Sequence, residues 1–414
     1  MKTPPGMRSH PSTPQTVDSA DNRDKKPQAL LLGGLHLAGP GYPNASQTIS
    51  ILKDENIANV LECGTWLPES MHLWRLRNAP WIKRISMISF LMFGNLFSLL
   101  KVLWKQGSAH TPVYVPYPAI FFLWWSSWIP ARWRPRCIAD AYISVWDSMY
   151  RDRNKGNPSH FLARTLKAFE SRALRSAELI LTDTVANKNM YTHEFGIDGN
   201  SISALPLAIR DDRFLACLPK SKSHDEPLTI LFVGTLIPLH GIDVILAAIK
   251  LLMQDPRLHF HLLGDGQLGH LVEETSTDLN KDRFTWTREW ASLDIIAEEI
   301  CKADICLGIF GGKGKAARVL PFKAYMYLAS GKAMVSQASF SLPEDTPPPP
   351  MLTIPTADPT VLANSIMQLT NDEGLRTRLA SEARDYYIKH LGHKRLSAEW
   401  GALLLRLGSS ATHN

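Results

Sequence analysis

The sequence has no cysteine framework. Its five cysteines (63, 137, 217, 301 and 306) contain no CxxC pair and no metal-ligand cluster. An odd count of this kind predicts a reducing compartment and buried thiols, and it excludes a disulfide scaffold or a zinc module. A secretory signal is missing too. Residues 1–27, MKTPPGMRSHPSTPQTVDSADNRDKKP, are polar and Pro/Ser-rich with no apolar core, and predict a disordered leader. Long apolar runs are also lacking. The apolar run Ile85–Leu100, between Arg84 and Lys101, has sixteen residues. About 20 are needed to cross a bilayer, so no spanning helix is expected. Helix-turn-helix, zinc and single-strand-binding patterns are absent and the basic residues are scattered, which argues against nucleic acid as a partner.

What remains is globular. The 414 residues are 45% hydrophobic and 20% charged with a net charge of +6, enough for two domains and mildly biased toward anionic partners. Strand-like runs alternate with helical ones twice over. ALLLGG (29–34), ANVLEC (58–63), TPVYVPYP (111–118), RCIADAYIS (136–144) and AELILTDT (177–184) form one series. After the polar break KSKSHDEP (220–227), LTILFVGTL (228–236), LHFHLLGDG (258–266), RFTWT (283–287), ADICLGIFG (303–311) and AMVSQ (333–337) form the next. This order predicts an α/β protein of two Rossmann-like, doubly wound domains facing a cleft. The expected boundaries are 28–219, a linker at 220–227, and 228–390, with a helix in 391–414 packing back toward the N-terminal domain.

The stretch GIFGGKGKAARVLPFK (308–323) holds four glycines, four cations and no carboxylate. It follows a strand buried on both faces and precedes a helix ending at Gly331. Strand ends are where ligands bind in open α/β sheets, and a helix start offers free N–H groups and partial positive charge. Lys313, Lys315, Arg318 and Lys323 then make either a diphosphate site or a solvated basic loop. Two further glycine turns, GTLIPLHG (234–241) and GDG (264–266), lie at strand ends of the same domain and favour the first reading.

These residues resemble the family 4 glycosyltransferases of the GT-B fold. The resemblance runs through ILFVGTLIPLHGIDVILAAI, HFHLLGDG, ADICLGIF and KAYMYLASGKAMV. GGLHLAGPGYPN, ADAYISVWDSMYRDR, ESRALRSAELILTDT and NKNMYTHEFGI resemble a bacterial and archaeal branch of that family. It implies a nucleotide-sugar donor, treated as substrate, with no other cofactor and no metal. The donor diphosphate would lie on Gly234, Thr235, His240, Gly264, Gly311, Lys315, Arg318, Val319, Leu320 and Lys323. Gly39 and Gly41 would lie over the phosphates from the facing domain, and the nucleobase near residues 283–290. The sequence departs from the family pattern at four places. Thr235 stands for the usual Arg and His240 for the usual Lys, while Arg318 and Met326 replace a pair of glutamates eight apart. RVLPFK reads as an alternative set in which Arg318 and Lys323 clamp the diphosphate.

Asp140 and Asp147, with Arg318, are the catalytic candidates. Each aspartate either binds a sugar or acceptor hydroxyl or serves locally as a cap or ion-pair partner. Nine of twelve tryptophans fall between residues 66 and 146. Residues 81–136 place aromatics beside cations, which suits either a peripheral membrane contact or a large core helix. The expected activity is retaining, metal-independent sugar transfer from a nucleotide diphosphate to a glycan or polyprenyl-linked acceptor, in polysaccharide or glycolipid assembly. The expected location is cytoplasmic, at the inner face of the membrane. The alternatives are a GT-B epimerase and a non-catalytic nucleotide-sugar binder derived from a transferase.

Overall fold

Short apolar runs rich in Leu, Ile and Val, each closed by Gly, Asp or Thr, become parallel strands buried on both faces. A computed structural model describes residues 27–37, 42–68, 71, 80–106, 111–152, 159–217, 226–289, 291–355 and 357–410. The expected leader, residues 1–27, lies outside the described residues except for Pro27.

The first half runs β1 (Gln28–Leu32), β2 (Leu35–His36), α1 (Asn44–Asp54), β3 (Ala58–Glu62), β4 (Thr65–Trp66), α2 (Trp81–Gln106), β5 (Val113–Val115), α3 (Ile120–Ser126), β6 (Cys137–Asp140), α4 (Val145–Asp147), α5 (Phe161–Leu174), β7 (Leu179–Thr182), α6 (Val185–Phe195) and β8 (Ile202–Ala204). Its sheet has the order β3-β1-β5-β6-β7-β8, every pair parallel. Chain order reverses beside β1, so the switch point of the sheet lies at the ends of β1 and β5.

The second half runs α7 (Asp212–Leu215), β9 (Leu228–Val233), α8 (Ile242–Leu252), β10 (Leu258–Leu263), α9 (Gly269–Ser276), β11 (Phe284–Thr287), α10 (Leu293–Lys302), β12 (Ile305–Leu307), α11 (Phe322–Ala329), β13 (Ala333–Gln337), β14 (Leu352–Ile354), α12 (Pro359–Asn371), α13 (Glu373–His390) and α14 (His393–Ser410). The order β11-β10-β9-β12-β13-β14 repeats the same parallel pattern, with its switch point between β9 and β12. Helix α14 returns to the first half. Its Leu396, Trp400, Leu403 and Leu404 join Leu30, Leu32 and Leu52 in one core, and Trp400 meets Tyr114 edge-on at 5.1 Å.

Helix α2 reverses the usual amphipathic arrangement. Its polar residues face inward: Ser98 Oγ accepts from the Gly34 N–H at 2.7 Å, Asn95 Oδ1 from the Leu35 N–H at 3.1 Å. Its outer face is apolar. Phe93, Phe97, Leu100 and Trp104, spaced 4, 3 and 4 apart, are all exposed, Trp104 to 83%. The helix is long and apolar enough to cross a membrane by length and composition, with a mean hydropathy of 1.7 over its best window. Yet Leu91, Leu99 and Val102 are buried against the domain.

The cysteines correct the expectation of free thiols. Cys217 and Cys301 are joined in a disulfide that links the segment after α7 to α10, while Cys63, Cys137 and Cys306 are free and buried.

Candidate donor-binding site

The three glycine turns converge by direct contact. Gly234 (φ 142°), closing β9, and Gly264 (φ 137°), closing β10, lie against one another so that a Cβ on Gly264 would overlap the Gly234 carbonyl. Gly241 (φ 65°) starts α8, and a Cβ there would strike the Phe310 backbone. Gly311 backs onto the Leu239 carbonyl with equally little room. Only glycine permits these approaches and these φ values together.

The turns enclose a cavity of about 190 Å³ whose walls include Gly234, Thr235, His240, Gly264, Asp265, Glu289, Lys323 and Met326. Five of the expected donor residues therefore line one cavity: Gly234, Thr235, His240, Gly264 and Lys323. The others do not. Val319 packs with Ile309 and Ala316, and Leu320 belongs to the main core beneath α11, so both side chains are structural. Lys315 reaches across to Ser148 Oγ at 3.3 Å. Gly39 and Gly41 lie outside the described residues.

Lys323 dominates the cavity. It sits in the first turn of α11, only 4% exposed, with its ammonium 3.6 Å from the Phe232 ring centroid and beside the Gly234 backbone. Its Nζ has no hydrogen-bond acceptor. Burial alone pushes its pKa well below the ordinary lysine range. His240, close by, has its Nδ1 on the Thr235 carbonyl and its ring against Phe232. Burial first, and the Lys323 charge second, hold its pKa well below 6.5. His240 is thus neutral here. A buried ammonium without a counter-ion beside a helix N-terminus and two glycine turns is an anion site awaiting its charge.

Arg318 corrects the expectation of a two-residue clamp. Its Nη2 lies 2.6 Å from Asp147 Oδ2, its Nη1 donates to Asn187 Oδ1 at 3.2 Å, and its carbonyl accepts from Thr184 Oγ1 at 2.6 Å. Arg318 therefore latches the donor-side loop to the N-terminal domain, and Asp147 is its partner. Glu170 supports the latch from below. It accepts from the Val145 and Trp146 N–H groups at 3.1 and 2.8 Å, and burial pushes its pKa up to about 7.

Asp140 is likewise occupied. It accepts from Tyr114 Oη at 3.1 Å and from the Tyr142 N–H at 3.3 Å, and burial pushes its pKa to about 6. These contacts fix Asp140 at the end of β6, while the cap of α4 is Ser144, whose Oγ accepts from the Asp147 N–H at 3.1 Å. Sequence reasoning missed Thr184, Asn187 and Glu170, since their partners lie far off in the chain. It also missed His36, a buried imidazole just before the first-strand glycine loop, whose pKa burial lowers to about 4.

Residues 227–372 match the family described as Glycosyl transferases group 1. Over that segment the chain is similar to a group 1 glycosyltransferase domain. No curated protein matches the chain by sequence. Among solved structures, the chain resembles Anabaena HepE (Alr3699) in complex with UDP at 14% identity and a TM-score of 0.61, over 92% of this chain and 100% of that one. It also resembles sucrose-phosphate synthase from Thermosynechococcus elongatus, at 17% identity and a TM-score of 0.62, again over 92% and 100%. A glycosyltransferase from Rickettsia africae is similar at 12% identity and a TM-score of 0.60, over 94% and 100%. At these identities the likeness shows the fold, and the chain has the two-domain GT-B fold. The cavity at the ends of β9 and β10 lies within the matched segment.

Proposed function

We propose that the protein transfers a sugar from a nucleoside-diphosphate donor to a glycan or polyprenyl-linked acceptor, with retention and without a metal ion, in polysaccharide or glycolipid assembly. The buried, unpaired Lys323 ammonium at the meeting of the glycine turns carries this reading. A leaving diphosphate develops negative charge, which the N-terminus of α11 and a Lys323 held protonated by that anion would stabilise where a metal would otherwise act. His240 gains a proton as the anion arrives. Glu289 and Asp265, on the cavity wall, are the carboxylates available to ribose hydroxyls where Met326 offers none. Retention rests on the family resemblance. A solved neighbour of the same fold holds UDP, which puts uridine nucleotides first among donors to try.

Thermal shift against UDP-, GDP-, ADP- and dTDP-sugars tests donor binding. One nucleotide class should stabilise the protein by about 2.7 kcal/mol at 100 times its Kd. No shift with any of them would remove the reading. Arg318 and Met326 at the glutamate positions favour a second reading, a nucleotide-sugar binder without turnover. Slow release of free nucleotide from the bound donor separates the two: a transferase leaks, a binder does not.

The same reading places the protein in the cytoplasm at the inner face of the membrane. In those reducing surroundings Cys217 and Cys301 would be thiols. Helix α2 supports the membrane contact. Its outward Phe93, Phe97, Leu100 and Trp104 are flanked by Lys83, Arg84, Lys101 and Lys105, and tryptophans 81 and 104 lie near its two ends, as rings do at headgroup level. Replacing Phe93, Phe97 and Trp104 with serine should cut vesicle affinity by about 1,000-fold or more, each side chain contributing about 1.5–3 kcal/mol of transfer free energy at full burial. Unchanged co-sedimentation would end the membrane claim.

A further inference from the structure

A second cavity lies outside the donor site, between α5, α6 and the turn after α4. It measures about 710 Å³ and gathers Arg151, Arg164, Lys167 and Arg175 against a single carboxylate, Glu194, an excess of three positive charges. The cavity has a defined construction. Glu194 pairs with Arg151 and with Lys167, each at 2.6 Å, and so holds the two cations together. Both cations then lie 4.7 Å from the centre of the Trp146 ring, whose indole N–H is buried without an acceptor. Arg175 donates to the Phe195 carbonyl at 2.7 Å, fixing the far wall. Arg164 is exposed.

We propose that this cavity binds the phosphate-bearing headgroup of an anionic membrane lipid. Three observations choose a lipid over a soluble anion. Phe161 and Leu162, one turn before Arg164, are exposed at 76% and 60%, so apolar groups stand beside the cations. Helix α5 packs against α3 and α3 against α2, so the helix that carries the cations stands in one row with the helix that carries the outward apolar stripe. Arg172 of α5 covers the Trp128 ring at 3.9 Å, and Trp128 and Trp133 are themselves exposed between the two regions. Cations at headgroup depth beside apolar rings at acyl depth are what an anionic bilayer surface complements. The inference rests on the membrane reading and adds a lipid specificity to it: α2 supplies apolar insertion, and the cavity supplies the preference for negative charge.

Vesicle binding of the full chain tests it without reference to sugar transfer. Vesicles of phosphatidylcholine alone report the apolar α2 stripe, the increment on adding about 30% phosphatidylglycerol at ~0.15 M salt reports the cations of α2 and the cavity together, and the part lost in Arg164→Glu reports the cavity. The wild type should show an increment of about tenfold or more. Arg164→Glu should remove most of it while leaving neutral-vesicle binding, melting temperature and nucleotide binding unchanged. Glu194→Gln, which releases two cations, should move the increment the other way, by about threefold. The proposal is overturned by an increment that is absent in the wild type or survives Arg164→Glu. It is overturned equally if Arg164→Glu abolishes binding of a soluble heparin oligosaccharide and spares the lipid increment, which would make the cavity an anionic-glycan site. Loss of neutral-vesicle binding alone would count against α2, not against the cavity.

Discussion

Replacing Lys323 with methionine is expected to stabilise the nucleotide-free protein while abolishing its nucleotide affinity. The ammonium is buried, has no acceptor and lies over Phe232. Apolar replacement of buried charge commonly gains about 1–4 kcal/mol, because the desolvation cost disappears. The same change leaves a diphosphate without its main cation, and losing one partner of a buried charge pair costs about 2–5 kcal/mol, or roughly 30-fold and upward in Kd. Calorimetry and chemical denaturation on one variant thus read opposite signs. A methionine variant that is less stable, or that binds nucleotide normally, would overturn the anion-site reading.

The titration behaviour of this pair strengthens the test. Lys323 and His240 both have folded-state pKa values depressed by burial. In the nucleotide-free protein the unfolded chain therefore binds more protons, so stability rises with pH across the interval between folded and unfolded values. A bound diphosphate reverses this by favouring the charged forms. Nucleotide binding should take up protons near neutral pH, and affinity should fall as pH rises through the pKa values of the complex. Calorimetry in buffers of different ionisation enthalpy measures the uptake directly; none at all would contradict the arrangement.

The second large effect concerns Arg318. Its bond to Asp147 crosses from the donor-side loop to the N-terminal domain, with the Asp147 side chain only 4% exposed. Arg318→Gln leaves that carboxylate without its charge partner, and unfolding free energy should drop by about 2–3 kcal/mol, below the 3–5 of a fully buried pair because the arginine is partly solvated. Turnover should fall as the domains lose register. Nucleotide affinity should change by less than about tenfold, because Arg318 is absent from the walls of the cavity that holds Lys323. If the arginine variant instead loses as much affinity as the lysine variant, Arg318 leaves Asp147 for the diphosphate, and the latch is not its working state.

Both contrasts bear on what the sequence makes legible. Glycine turns at strand ends are readable because backbone geometry at those points admits few other residues, and Gly234, Gly241 and Gly264 do hold positive φ. The alternation of strands and helices likewise reports two parallel sheets. Lys323 was recognisable as a cation near a helix start, though nothing local reveals that it is buried. Arg318 could not be assigned, because its partner Asp147 is 171 residues away and the choice between anion ligand and ion pair is tertiary. The Cys217–Cys301 bond, 84 residues apart, was hidden for the same reason. In α2 the periodicity separates a polar side from an apolar one, but not which of them faces the protein; Asn95 and Ser98 settle that by bonding the turn after β1.

The return of α14 to the first sheet has an effect on biosynthesis. Leu30, Leu32 and Tyr114 are sealed by Leu396, Trp400 and Leu404, so the earliest-made strands keep an apolar flank until residues near 400 emerge. At about 5–20 residues per second, the roughly 200 residues between the end of the first sheet and that helix take about 10–40 s to make. During that interval the nascent chain presents a sticky surface, and the ribosome-bound intermediate is a natural client for a chaperone.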